Sequence, residues 1–203
     1  MNIDDISTFL PKFLTPEAQK DLYEGISQFP DNIDQRLYTT ALEDTKIVYQ
    51  GDGFQDLLLV DFSSQSFRNG PGILLSNSCD LYPDNNRIFP TNMIYAPILS
   101  LEKFEHALMK ESEKGEGSVK DYISAIKKQR ISHLFYLPKM EQKIPESFVP
   151  FDRIQNSPNE LVSNDKFNKP RIFTLGSYGI YLFVVKLSIH FSRINDKVIR
   201  NPI

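Results

Sequence analysis

Between Leu57 and Leu99 the chain passes three times through a short apolar stretch that breaks off in polar residues, and this limits the fold more than any other feature. The stretches are Leu57–Phe62, Ile73–Ser76 and Met93–Leu99. Each is too short for a buried helix and is bounded by turn-forming residues, which is the pattern of adjacent strands. The second belongs to the run Pro71-Gly-Ile-Leu-Leu-Ser-Asn-Ser-Cys-Asp80, an apolar strand ending in small polar groups, a thiol and a carboxylate. Together the three predict the centre of a small, strongly bent sheet with polar groups at one rim.

Further strands are expected at Lys46–Gln50, ended by Gly51-Asp52-Gly53, at Ser132–Leu137, at Phe148–Ile154 and at Pro170–Phe173. The near-continuous apolar run Leu57–Phe62 predicts a strand covered on both faces, and Ser63–Gly70 reads as a polar loop carrying Phe67 and Arg68. Helices are expected around the sheet. Ile3–Phe13 carries a helical stripe interrupted by Pro11. Thr15-Pro16-Glu17 supplies an N-cap, a first-turn proline and a first-turn acid for a helix to Phe29. Asp31–Asp44 reads as an irregular arm. Leu101–Glu113 is periodic, Lys114-Gly115-Glu116-Gly117 reads as a breaker, and Ser118-Val-Lys-Asp121 has the form of a capping box. These two helices read as an insertion over 101–130. Thr174–Ile194 is the strongest helical stretch, with Ile180, Phe183, Val184, Leu187 and Phe191 at helical spacing. The expected organisation is an N-terminal helical extension, 1–45, and one β-domain, 46–203.

Charge and cysteine content narrow the chemistry. The 203 residues carry a formal charge of −3, with 23 basic and 26 acidic side chains, so a nucleic-acid partner requires a local basic patch. A single cysteine forbids an intrachain disulfide. The acidic start Met1-Asn-Ile-Asp-Asp lacks the order of a signal peptide, and no apolar run reaches the ~20 residues of a membrane span. A cytoplasmic setting without membrane contact is expected.

Four groups of residues are candidates for a site. Cys79 is a nucleophile if an imidazole, His133 or His190, activates it and Asp80 assists, because a thiol needs a base or cationic surroundings to ionise. More often, a lone cysteine at a strand end packs as a small apolar group. Asp80, Asp84, Asn85 and Asn86 offer oxygens but match no cation-binding loop, and Asp-Asn-Asn is ordinary turn chemistry. The three histidines are scattered, so neither a metal nor a cofactor is expected. Arg68, Arg87, Lys127, Lys128, Arg130, Lys139, Arg153 and Arg171 form a nucleic-acid surface if they gather beside Phe67, Tyr82 and Tyr136. Lys127, Lys128 and Arg130 serve equally well as a solvated helix end. His190 and Arg193, one turn apart, line a polar groove or simply end the last helix.

Gly51-Asp52, Leu57-Leu-Leu-Val-Asp-Phe62, Pro71-Gly-Ile-Leu-Leu-Ser76, Ala96-Pro-Ile-Leu-Ser100 and Val149-Pro-Phe-Asp-Arg-Ile154 resemble, in this order, the strand motifs of the MazF/PemK toxin family. The likeness covers about half of the chain. It implies an α+β protein built on a small SH3-like, MazF-like bent β-barrel with added helices. It also implies a toxin–antitoxin or phage-defence role, RNA or a cognate protein as partner, and pairing into a homodimer. Members of that family cut RNA with an arginine before the proline and a threonine in Pro-Ile-Thr. Here Gly70 precedes Pro71 and Leu99 takes the threonine position. The resemblance therefore implies binding without the usual catalytic pair. The alternatives are an RNA endonuclease rearranged around Arg68 and an enzyme using Cys79 with His133. Asp80, Arg87, Tyr136 and Arg153 are the expected binding residues.

Overall fold

The computed structural model describes residues 15–42, 47–61, 63–82, 88–89, 91–111, 113, 115–158 and 170–192. The expected Ile3–Phe13 helix, the Asp84-Asn85-Asn86 turn, Arg87 and Arg193 lie outside them. The protein is a mixed α/β structure with antiparallel sheets. In chain order the elements are α1 (Pro16–Ser27), a short 3-10 turn (Gln35–Leu37), β1 (Tyr38–Thr39), β2 (Gly53–Asp61), β3 (Ser66–Leu74), α2 (Ser78–Leu81), β4 (Asn92–Pro97) and β5 (Leu99–Ser100). Then follow α3 (Leu101–Glu111), α4 (Gly115–Lys127), β6 (Leu134–Leu137), β7 (Ser147–Pro150), β8 (Gln155–Pro158), β9 (Arg171–Leu175) and α5 (Ser177–Ser192).

Six strands form one sheet in the order β1-β9-β2-β3-β4-β8, and three form a second in the order β5-β7-β6. The described strands do not close into one hydrogen-bonded barrel. The sheets are joined covalently at Ile98, where a single run of chain leaves the β3 ladder as β4 and enters the β7 ladder as β5.

Alternation of side chains across the pleat sorts the core. The pairings Leu57↔Gly70 and Leu74↔Tyr95 place Leu57, Leu59, Leu74 and Tyr95 on one face, where they pack with Leu81 and Met93. Ile73 and Ala96 point the other way, into the main core with Phe135, Phe151 and Phe183. Phe183 of α5 meets the rings of Phe135 and Phe151 edge-on at 5.1 and 5.7 Å. Full burial of such a ring contributes about 1.5–3 kcal/mol. A third cluster, built from Leu101, Val119, Ile123, Ile126 and Phe148, seats α3 and α4 on the second sheet. The start of α5 lies so close to the 3-10 turn that a Cβ at Gly179 would stand 2.1 Å from the Leu37 carbonyl oxygen, and only glycine fits.

Several expectations are corrected. Residues 47–49 form no strand, and Gly51-Asp52-Gly53 opens β2 instead of ending a strand before it. Gly51 takes φ +85°, a conformation glycine adopts freely, while the Asp52 carboxylate accepts the Tyr49 amide at 2.9 Å to hold the turn. The polar loop expected over Ser63–Gly70 is mostly strand, because β3 starts at Ser66 and pairs with β2 through Asp61↔Ser66. Leu57–Val60 alternates between buried and exposed, so β2 is not covered on both faces at its far end. A bulge between Phe54 and Leu57, with Asp56 at φ 57°, bends it there. The stretch read as a breaker contributes the first turn of α4, placing Ser118 inside that helix. Phe148–Ile154 is not one strand: β7 ends at Pro150, a turn follows, and β8 begins at Gln155. In the arm expected to be irregular, β1 pairs with β9 through Tyr38↔Leu175. No helix among the described residues is long and apolar enough to cross a membrane.

Candidate nucleic-acid interface

Past the bulge, β9 no longer flanks β2, and its outer edge carries bare peptide groups. Side chains cover them. The Tyr95 hydroxyl donates to the Leu58 carbonyl at 2.5 Å. The Gln155 amide does more: its oxygen accepts the Val60 N–H at 3.0 Å and its nitrogen donates to the Val60 carbonyl at 3.0 Å. Gln155 belongs to β8, the far edge strand of the same sheet. The sheet thus curls until its last strand reaches back to β2, joined there through side chains.

This curl leaves an open groove of about 630 Å³. The β2–β3 hairpin lines it with Leu59, Val60, Asp61, Ser63, Ser66 and Arg68; the bent strand adds Pro97 and Leu99; the β7–β8 turn adds Asp152, Arg153, Ile154 and Gln155. Arg68 lies opposite Leu59 in the ladder and therefore shares its face, which directs it toward the groove. The two guanidinium groups come from elements far apart in sequence. Neither has an ion-pair partner among the described residues. Both aspartates are exposed. The Asp61 carboxylate is already engaged: it accepts the Ser63 hydroxyl at 2.5 Å and the Ser63 and Ser64 amides at 3.0 and 3.3 Å. Those bonds, the Ser63 hydroxyl first, hold its pKa below the ordinary carboxylate value.

The other expected site residues lie elsewhere. Cys79 is exposed on the one-turn α2, and Asp80 beside it is half-buried, with its carbonyl accepting the Thr91 hydroxyl at 3.2 Å. His133 precedes β6, and its carbonyl accepts the Phe151 amide at 2.8 Å. None of the three lines the groove. Tyr136 is buried in the third core, its hydroxyl donating to Glu146 at 2.5 Å. Burial raises the Glu146 pKa, but the Lys127 ammonium at 2.8 Å and the Tyr136 hydroxyl outweigh it and hold the carboxyl low. Tyr136 and Lys127 are thus tied to each other through Glu146. Tyr136 offers no free ring for stacking.

Arg171 is also away from the groove, in a polar knot under β9. Its guanidinium donates to the carbonyls of Leu42 and Ile47, lies 5.6 Å from the centre of the Phe54 ring, and pairs with the fully buried Asp52 at 3.3 Å. Burial raises the Asp52 pKa, against the Tyr49 amide, Arg171 and Thr174. Lys186 of α5 is buried too, donating to the carbonyls of Gln129, Ile131 and Leu134 at 2.9, 2.8 and 2.5 Å. No three His, Cys, Asp or Glu side chains among the described residues are grouped to hold a metal ion.

Of the candidate residues, the groove unites Arg68 and Arg153, together with Leu99. It adds Asp61, Ser63, Ser66, Asp152 and Gln155. Asp61 with Ser63 and Ser64 was readable as an Asx turn; Gln155 carried no local signal. Set against known proteins, the chain matches no family model and no curated protein sequence.

Proposed function

We propose that the groove between the β2–β3 hairpin and the β7–β8 turn binds the backbone of single-stranded RNA without cutting it, in a diverged MazF-like barrel acting in a cytoplasmic toxin–antitoxin or phage-defence system. One observation carries this reading: Arg68 and Arg153, with no ion pair among the described residues, line one open groove beside the apolar Leu59, Pro97 and Leu99. A guanidinium offers a planar fork of donors suited to phosphate oxygens, and apolar surface between two such forks suits a base or ribose face. The curl fastened by Gln155, and the strand shared between sheets at Ile98, support the barrel-like part of the reading. Leu99 has no hydroxyl to replace the family's threonine, which supports binding over cleavage.

Asp61 and Asp152 offset the two arginines in formal charge, so directed contacts matter more here than a broad field. Two phosphate contacts correspond to a slope of about −1.4 in log K against log salt for a single strand. Fluorescence anisotropy with a labelled single-stranded RNA tests the reading. Arg68→Ala and Arg153→Ala are each expected to weaken binding about tenfold and to reduce the salt slope by about 0.7. Undiminished binding by the double variant would overturn it. Cleavage of the RNA by the purified chain, abolished in Arg68→Ala, would replace it with the endonuclease reading.

A further inference from the structure

The hairpin wall of the groove projects past the region where β9 supports β2. Beyond Phe54, no described strand pairs with β2 on its outer side. Ser66, Phe67, Arg68 and Asn69 of β3 are all exposed, so little packing holds this end of the hairpin from β3 either. Apart from its ladder to β3, the polar ties of this end to the body among the described residues are the Tyr95 hydroxyl on Leu58 and the two Gln155 bonds on Val60. The Val60 tie is nearer the tip. Gln155 is also the last of the four consecutive residues that form the opposite wall, Asp152, Arg153, Ile154 and Gln155. One side chain therefore belongs to one wall and is bonded to the backbone of the other.

We infer that Gln155 is the positioning residue that sets the width of the groove, and with it the spacing of Arg68 and Arg153. Its amide serves Val60 as a neighbouring strand would, accepting one N–H and donating to one carbonyl. Only a side chain with both functions on a stem of this length can do so. Leucine or alanine leaves both Val60 groups to water, and the walls separate. Glutamate accepts the N–H but, ionised, repels the carbonyl; protonated, it regains a donor and both bonds. Width matters because guanidinium groups engage neighbouring phosphates only at a fixed separation, and misplacement by about 1 Å can cost orders of magnitude in productive contact. The effect on RNA rests on the reading proposed above; the effect on width does not.

Spin labels on Ser64→Cys and Asn156→Cys, in a Cys79→Ser background, report the wall-to-wall distance by pulsed electron resonance without any ligand. The expected result is a narrow distribution with Gln155 present and a broader, longer one in Gln155→Ala. Gln155→Glu should resemble Gln155→Ala at neutral pH and return toward the parent distribution below about pH 4.3, where an unperturbed glutamate is protonated. With the labels absent, Gln155→Ala should bind single-stranded RNA at least fivefold more weakly at an unchanged melting temperature. Gln155→Glu should recover affinity on acidification relative to the parent chain at the same pH. A merely structural role would not produce that pH profile. An unchanged distance distribution in Gln155→Ala overturns the inference whatever RNA does. A widened distribution in a protein that binds no RNA upholds Gln155 as the spacer and overturns the RNA reading alone.

Discussion

Arg171 and Arg153 stand on the same curled sheet and its turn, each near an aspartate, and they could hardly be used more differently. The two terminal nitrogens of the Arg171 guanidinium are engaged, donating to two carbonyls of the passing chain, with the Asp52 carboxylate and the Phe54 ring beside them. Arg153, like Arg68 facing the same groove, is exposed and has no ion pair among the described residues. The residue types are alike, and what differs is whether the fold consumes the charge. A buried charge is costly unless it is paired or hydrogen-bonded, so the knot serves the structure. A charge held in place with unused donors is available to something outside the chain.

Substitutions can break this contrast or sharpen it. The largest effect is expected from Asp52→Ala, which removes the carboxylate beside the half-buried Arg171 guanidinium. Urea unfolding should show a loss of about 3–5 kcal/mol, and a loss under about 1 kcal/mol would mean the knot is no more integral than the groove. Lys186 comes next, as a buried charge held by carbonyls alone. Burial pulls its ammonium down to about 7, whereas the unfolded chain retains a value near 10.4. In that window the unfolded state binds the proton more tightly, so stability rises as pH rises through 7. Between pH 7 and 9 the parent chain should gain about 2 kcal/mol relative to Lys186→Met. A flat difference would show that the three carbonyls keep the group charged in the fold.

Tyr136→Phe probes a charge network of intermediate exposure, removing the hydroxyl from Glu146 while keeping the ring. It should cost about 1 kcal/mol in the same unfolding experiment. The smallest stability effects belong to the groove. Arg68→Ala and Arg153→Ala should each shift unfolding by no more than about 0.5 kcal/mol, as at surface positions without structural ties. A larger destabilisation would move these arginines to the side of Arg171 and undo the contrast.

The central strands were legible because they are buried runs: Ile73–Leu74, Met93–Ala96 and Phe135–Leu137 lie where pattern alone predicts, and so does the body of α5, although Val184 and Phe191 of its expected stripe are exposed and Lys186 is buried. The missed parts share a physical cause. Ser66–Asn69 is strand only because β2 runs beside it, beyond the core, so its side chains carry no burial pattern. Gln155–Pro158 is a poor strand sequence, and its pairing with Asn92–Tyr95 of β4 overrides propensity. For the site, Arg68 and Arg153 are candidates from sequence, and the fold brings both to one groove, beside Leu99. Cys79 and His133 attracted notice through their chemistry, which says nothing of where a side chain points. Gln155 was invisible because its role depends on a curl that only the assembled sheet displays.

The change of partner at Ile98 leaves the molecule without a seam. Cutting the chain there would part β1 and β2 from β9, and β4 from β8, so the six-stranded sheet is completed only by strands from both halves. The helical insertion hangs from this same strand, since α3 starts directly after Ser100. A load applied to those helices is carried by backbone straight into Leu99 and Pro97, the residues against which a bound strand would rest.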